Sequence, residues 1–153
     1  MSQYDRVDRA LLAALGDDPR ATVVALAERL GLSRNTVQAR LGRLEASGAF
    51  LSFERSIDPG PLGFPLEAFV SVHVRQTVLA AVVDAIAEIP EVIQAHGLSG
   101  QVDLLVRVVC RDAHDLFRID GEILAIDGVE RTETSLAMGE LIPYRLKPLL
   151  GSA

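Results

Sequence analysis

Cysteine is nearly absent. Cys110 stands alone among 153 residues, which excludes an internal disulfide framework, fits a reducing compartment and leaves the thiol as a core residue. Long apolar runs are missing too. No stretch reaches the ~18–20 residues that a bilayer span requires, and the opening MSQYDRVDRA lacks the pattern of a secretory signal. His73, His96 and His114 are scattered without metal-ligand spacing. Neither a Ser/His/Asp grouping, a phosphate loop nor a CxxC pair occurs, so enzyme chemistry has little support. The expectation is a cytoplasmic protein that is not an enzyme, holds no metal or cofactor and needs no membrane.

What is present is enough apolar material for a core: 49% of residues are hydrophobic and 24% charged, which also argues against disorder. The net charge of −6 looks unfavourable for nucleic acid until the chain is split. Residues 1–50 carry seven Arg against six Asp or Glu, a balance of +1, whereas residues 51–153 carry eight Arg or Lys against fifteen acids, a balance of −7. Within 33–47, three Arg face only Glu45, giving +2 on one segment. A local basic face governs phosphate contact better than the total does, and such binding weakens steeply with salt.

That basic segment belongs to the stretch TVVALAERLGLSRNTVQARLGRLEASG, Thr22 to Gly48. Thr22 suits a helix N-cap, and Val24, Ala27 and Leu30 recur at helical spacing as the expected buried stripe. Gly31 falls where the helix must stop, at a position that favours a left-handed backbone. Ser33 suits the next N-cap, followed by Val37, Leu41 and Leu44 at i, i+4 and i+7. Arg34, Asn35, Thr36, Gln38, Arg40 and Arg43 lie off that stripe. Helix, glycine turn and helix is the form of a DNA-binding helix-turn-helix. An earlier helix opens at Asp5, with Asp8 favouring the positive end of the dipole and Val7, Leu11, Leu12 and Leu15 inward, and it ends at Gly16-Asp17-Asp18-Pro19. Residues 1–50 therefore read as a three-helix domain, too small to bury much surface alone.

Residues 51–65 read as an extended strand and linker. Ala49 to Ile57 is expected to be extended, and Asp58 to Pro65 packs three prolines and two glycines into eight residues, a stiffened connection. From 66 to 153 the periodicity alternates between strand and helix. Ala68, Val70, Val72 and Val74 share one face of a strand, with Phe69, Ser71, His73 and Arg75 on the other. A helix over Val78–Ile89 follows, then strands over Glu91–Leu98 and Val102–Arg111, a helix from the cap Asp112 to Ile126, and a strand over Val129–Met138. Gly121 weakens the second helix, and the tail from Glu140, broken by Pro143 and Pro148, is expected to pack along the surface. The overall class is α+β: a three-helix helix-turn-helix domain plus a βαββαβ ferredoxin-like sandwich. One sheet face has no helix left to cover it, and an exposed half-apolar face around Phe69 and Val109 implies a two-fold homo-dimer.

Three motifs, LAERLGLSRNTVQARLGRLEASG at 26–48, GLSGQVDLLVRV at 97–108 and GVERTETSLAM at 128–138, resemble the Lrp/AsnC (feast/famine) transcriptional regulators across nearly the whole chain. The resemblance implies a second domain that dimerises through its sheet and binds a small effector, usually an amino acid, between subunits. It also implies dimers assembling into octamers and association with the nucleoid. Ser33, Arg34, Asn35, Thr36 and Gln38 would enter the major groove; Arg34 suits guanine and Asn35 adenine, with phosphate the alternative for either. Arg40 and Arg43 would contact the DNA backbone. Gly100 and Asp103 match the Gly-x-x-Asp turn that lines the effector site, with Leu98 and Gln101 beside them. Thr134, Ser135 and Leu136 match the strand segment that closes the site from across the interface. A turn with free N–H groups suits a carboxylate, and Asp103 an ammonium. Among the histidines, His96 lies on the strand leading to that turn. The recognition helix departs from the pattern in lacking lysine, Ser135 is small where bulkier residues are common, and Ala25 replaces a usual Glu. Two alternatives share this architecture: a siroheme-decarboxylase-like enzyme and a nucleoid-associated DNA-wrapping protein.

Overall fold

A computed structural model describes residues 3–151. The chain divides into two units, one formed by residues up to Ser56 together with those from Ile142 onward, the other by Ile57–Leu141.

The first unit is built on α1 (Arg6–Asp17), α2 (Val23–Leu30) and α3 (Arg34–Ala46). Each starts on the cap its sequence offers. Asp5 accepts from the Val7 and Asp8 N–H groups while Asp8 accepts from that of Asp5, a reciprocal capping box. Thr22 accepts from Ala25 N–H and Ser33 from Thr36 N–H, both at 3.1 Å. Gly31 ends α2 at φ +64°, the left-handed conformation that glycine enters without steric cost. Leu11, Ala14, Leu26, Ala27, Val37 and Leu44 form the core. Of the expected α2 stripe, Ala27 and Leu30 face inward, but Val24 is 36% exposed, and Val23 and Leu26 face the core in its place. In an eight-residue helix, either set satisfies a period of 3.6.

Ala49–Ile57 also departs from expectation. It contains a 3-10 turn at Phe53–Ser56 and joins no sheet, because its alternation meets no strand to pair with. A second 3-10 turn, Gly60–Leu62, lies in the proline-rich connection. The tail differs as well. Assigned from sequence to the second domain, it forms a short helix α6 (Lys147–Leu150) grouped with the first unit, where Lys147 pairs with Asp17 at 2.6 Å.

The second unit follows the expected order: β1 (Leu66–Val74), α4 (Leu79–Ala87), β2 (Val92–Gly97), β3 (Leu104–Cys110), α5 (Ala113–Leu124) and β4 (Val129–Leu136). The sheet is antiparallel, in the order β2-β3-β1-β4. Ala68, Val70, Val72 and Val74 point from β1 into a core shared with Val106, Val108 and Cys110 of β3, Val82 and Ile86 of α4, and Ile119 and Ile123 of α5. Val78, expected to open the helix, lies in a 3-10 turn (Gln76–Val78), and Val102 and Met138 fall outside the strands expected to contain them. Gly121 does not interrupt α5. Asp112 caps α5 by accepting from Asp115 N–H at 2.8 Å, and Arg118 ties the helix to Glu91 at the start of β2. The opposite sheet face carries Phe69, Ser71, His73, Leu105 and an Arg107–Glu67 pair bonded at 2.7 and 2.8 Å, all half-buried, whereas Val109 is buried. Among the described residues no helix is long and apolar enough to cross a membrane.

Two glycines separate space from conformation. Gly128 sits at φ +100°, where a Cβ would lie 2.4 Å from Val78 Cγ2, while Gly121 has nothing within 4 Å. Gly128→Ala is expected to destabilise by about 2–4 kcal/mol through strain and overlap. Gly121→Ala is expected to stabilise by about 0.5–1 kcal/mol through helix propensity. Urea denaturation midpoints of the two variants check both signs.

Candidate nucleic-acid interface and effector turn

The recognition helix α3 presents its polar side chains in two distinct states. Arg34, Asn35 and Gln38 are exposed and their side chains hold no partner among the described residues. Ser33 and Thr36 are already engaged: Ser33 caps the helix, and the two hydroxyls lie 2.8 Å apart. Arg40 and Arg43 do not project freely. Arg40 Nη1 donates to Asp5 and, at 3.0 Å, to Asp8; Arg43 Nη2 donates to both oxygens of Asp8 at 2.7 Å. Beside them Asn35, Thr36, Ala39, Arg40 and Arg43 line an open recess of about 450 Å³.

From sequence, the carboxylates that hold these arginines are recognisable only as helix-start residues. Asp8 is 1% exposed. Burial pushes its carboxyl up, but the hydrogen bonds from Arg43, Asp5 N–H and Arg40 outweigh that and hold it below the ordinary carboxylate value. Asp5, at the surface, is held at about 2, chiefly by the Arg40 hydrogen bond. The local signal is the Asp5-x-x-Asp8 spacing of a capping box; the link to α3 spans 35 residues and has no local signal.

The effector turn joins β2 to β3. Leu98 N–H donates to Asp103 O at 2.9 Å and Asp103 N–H to Val72 O at 3.2 Å, closing the loop around Ser99, Gly100 and Gln101. Gly100 takes φ +139°. The N–H groups of Ser99, Gly100 and Gln101 donate to no acceptor among the described residues. The Asp103 carboxylate is half-buried and accepts from Val74 N–H at 2.8 Å and from the Gln76 side chain. Gln76 escapes a sequence reading because it lies 27 residues away, on the far side of α4.

Thr134, Ser135 and Leu136 do not share one face. Ser135 pairs with Phe69 on the open side of the sheet, whereas Thr134 and Leu136 pair with Val70 and Ala68 on the helix side, and Thr134 Oγ1 donates to Asp120 at 2.6 Å. Strand alternation requires that split. The register also separates this segment from the turn. Leu104, just after the turn, pairs with Val72, and Leu136 pairs with Ala68, a displacement of about 14 Å along β1. Thr134, opposite Val70, lies about 7 Å from the Val72 level along the strand. His96 is exposed on β2 and pairs in register with Leu105. Cys110 is buried, and burial pushes its thiol up, away from the reactive thiolate.

Comparison with known proteins follows the same division. Residues 4–49 match the winged helix-turn-helix DNA-binding model, and residues 67–146 match the Lrp/AsnC ligand binding domain. The chain is 36% identical over 141 residues to the HTH-type transcriptional regulator AldR of Mycolicibacterium smegmatis, covering 90% of this chain and 82% of that protein. It is 34% identical over 138 residues to the proline dehydrogenase transcriptional activator of Rhizobium radiobacter, covering 88% of each. Among solved structures, Escherichia coli AsnC shares the fold with a TM-score of 0.85 at 23% identity, covering 96% of this chain and all of that one. A Neisseria meningitidis transcriptional regulator solved in complex with L-Met superposes with a TM-score of 0.83 at 25% identity, covering 92% and 94%.

The matched models and the relatives, named as transcriptional regulators, place the chain among DNA-binding transcriptional regulators rather than enzymes. The chain belongs to the Lrp/AsnC family.

The Asp5 pairing carries a pH dependence. Its folded value of about 2 lies below the ordinary 3.8, so its stabilising contribution is complete above 3.8 and is lost as pH falls toward 2. Melting temperature is expected to drop across that window, and Arg40→Gln is expected to shrink the drop; thermal melts at stepped pH check it.

Proposed function

We propose that this regulator senses an amino acid through its ligand-binding unit and that a two-fold homo-dimer, assembling further to an octamer, is the form that acts on double-stranded DNA. The observation that carries the reading is the turn at 98–103. Three adjacent N–H groups without acceptors, next to a half-buried carboxylate, offer complementary partners for an α-carboxylate and an α-ammonium. Each Asp103 oxygen accepts one hydrogen bond already and retains a lone pair for an ammonium.

The register supports completion by a second chain. Ser135 is the member of the motif that faces the open side of the sheet, and there it is available to the turn of a dimer mate docked on that face. The half-apolar surface around Phe69 and Leu105 supports that docking. The L-Met complex of the Neisseria relative agrees in ligand class and leaves the identity of this effector to experiment.

A thermal-shift screen of the twenty amino acids tests the reading. The true effector is expected to raise the melting temperature, with a gain of about 2.7 kcal/mol at a hundred times Kd. Asp103→Ala, and separately Gln76→Ala, are expected to reduce that shift. No shift from any amino acid, or an undiminished shift in Asp103→Ala, overturns the assignment. Light scattering of the purified chain reports the assembly.

A further inference from the structure

With Val37, Leu41 and Leu44 turned inward, 100° per residue places Asn35, Ala39 and Gly42 along the opposite ridge of α3. Arg34, Gln38 and Glu45 flank one side of that ridge, and Thr36, Arg40 and Arg43 the other. The two flanks are built differently. Arg34 is exposed and has no partner among the described residues, and Glu45 shares its side. Arg40 and Arg43 are both held from behind by carboxylates of the first helix and its cap.

The backing is rigid. Asp8 is buried, and its oxygens accept from Asp5 N–H at 3.1 Å as well as from the two guanidiniums. Arg43 still keeps its side chain 60% exposed and uses only one nitrogen on Asp8. A guanidinium has five N–H donors in a planar fork, so several remain for an external anion. The small Ala39 leaves the recess into which Asn35, Thr36, Arg40 and Arg43 converge.

We propose that this recess seats a phosphate of the DNA backbone, and that Asp8, assisted by Asp5, is a positioning residue that sets the direction of the Arg43 and Arg40 donors. The inference rests on the DNA-binding class already established. Two arginines in front and two carboxylates behind make the seat nearly neutral at a distance, yet directional at contact. It therefore favours a phosphate in register more than it attracts any polyanion. Phosphate contacts fix register on the duplex, and long-range attraction supplies sequence-independent binding, so Asp8 raises the ratio of one to the other.

The test uses the full chain and fluorescence anisotropy over a salt series. The probes are a duplex selected by this protein from a random library and a mixed-sequence duplex of equal length. Arg43→Ala is expected to make the slope of log K against log salt shallower by about 0.9 for each phosphate that is no longer neutralised. Arg43→Lys is expected to keep the slope, because the charge remains, and to weaken the preference for the selected duplex, because the fork is gone. Asp8→Asn keeps the cap acceptor and removes the charge. It is expected to bind the mixed duplex more tightly than wild type and to lower the selected-to-mixed ratio about five- to ten-fold. An Asp8→Asn protein that weakens both duplexes equally, or leaves the ratio unchanged, shows a merely structural carboxylate and overturns the positioning role. An unchanged slope in Arg43→Ala overturns the seat, and, if Asp8→Asn does not fold, an undiminished preference in Arg43→Lys overturns the directed-donor role on which the positioning rests.

Discussion

The alternation of β1 is the constraint from which the ligand-binding unit follows. Ala68, Val70, Val72 and Val74 have nowhere to go but the core, which commits Phe69, Ser71 and His73 to the other face. As the strand between β3 and β4, β1 also sets both registers. The turn before Leu104 is thereby placed level with Val72 and Val74, and Leu136 level with Ala68. A slip of one residue would expose the valines and bury the polar set. Where a ligand can meet this sheet depends on that one parity.

The helical unit solves a different problem. With six buried apolar residues at its centre, it has little hydrophobic surface to fix α3 against α1. Charge complements it. Asp8, almost without solvent, couples the first turn of α1 to the middle of α3 through paired guanidiniums. A buried carboxylate is tolerated only with such partners. The same atoms that hold the helix in place also restrain two of its arginines, so the architecture of the reader and its electrostatics are one arrangement.

Features set by near neighbours are legible in the sequence. Thr22, Ser33 and Asp112 cap their helices, and Gly31 turns left-handed, because each depends on residues within one turn. The βαββαβ order is legible because strand and helix periods differ sharply. Which residue joins Ala27 and Leu30 inward is not, since a short helix lets Val24 or Leu26 satisfy the same spacing. The division of Thr134 and Leu136 from Ser135 follows from alternation alone, although a shared motif groups the three together. The Asp8–Arg43 and Asp103–Gln76 bonds join distant residues that only the fold brings together. Ala49–Ile57 alternates like a strand but meets no edge, and a strand is defined by its partner as much as by its pattern.

Asp17 receives Arg29 from α2 and Lys147 from the tail, the second across a separation of 130 residues. The three helices emerge from the ribosome early and are able to collapse around Leu11, Leu26, Val37 and Leu44, with Arg29 already on Asp17. The last partner arrives only after every strand of the sheet has been made. The helical unit is therefore split in sequence around the sheet, and its tail segment is made only after the sheet's strands.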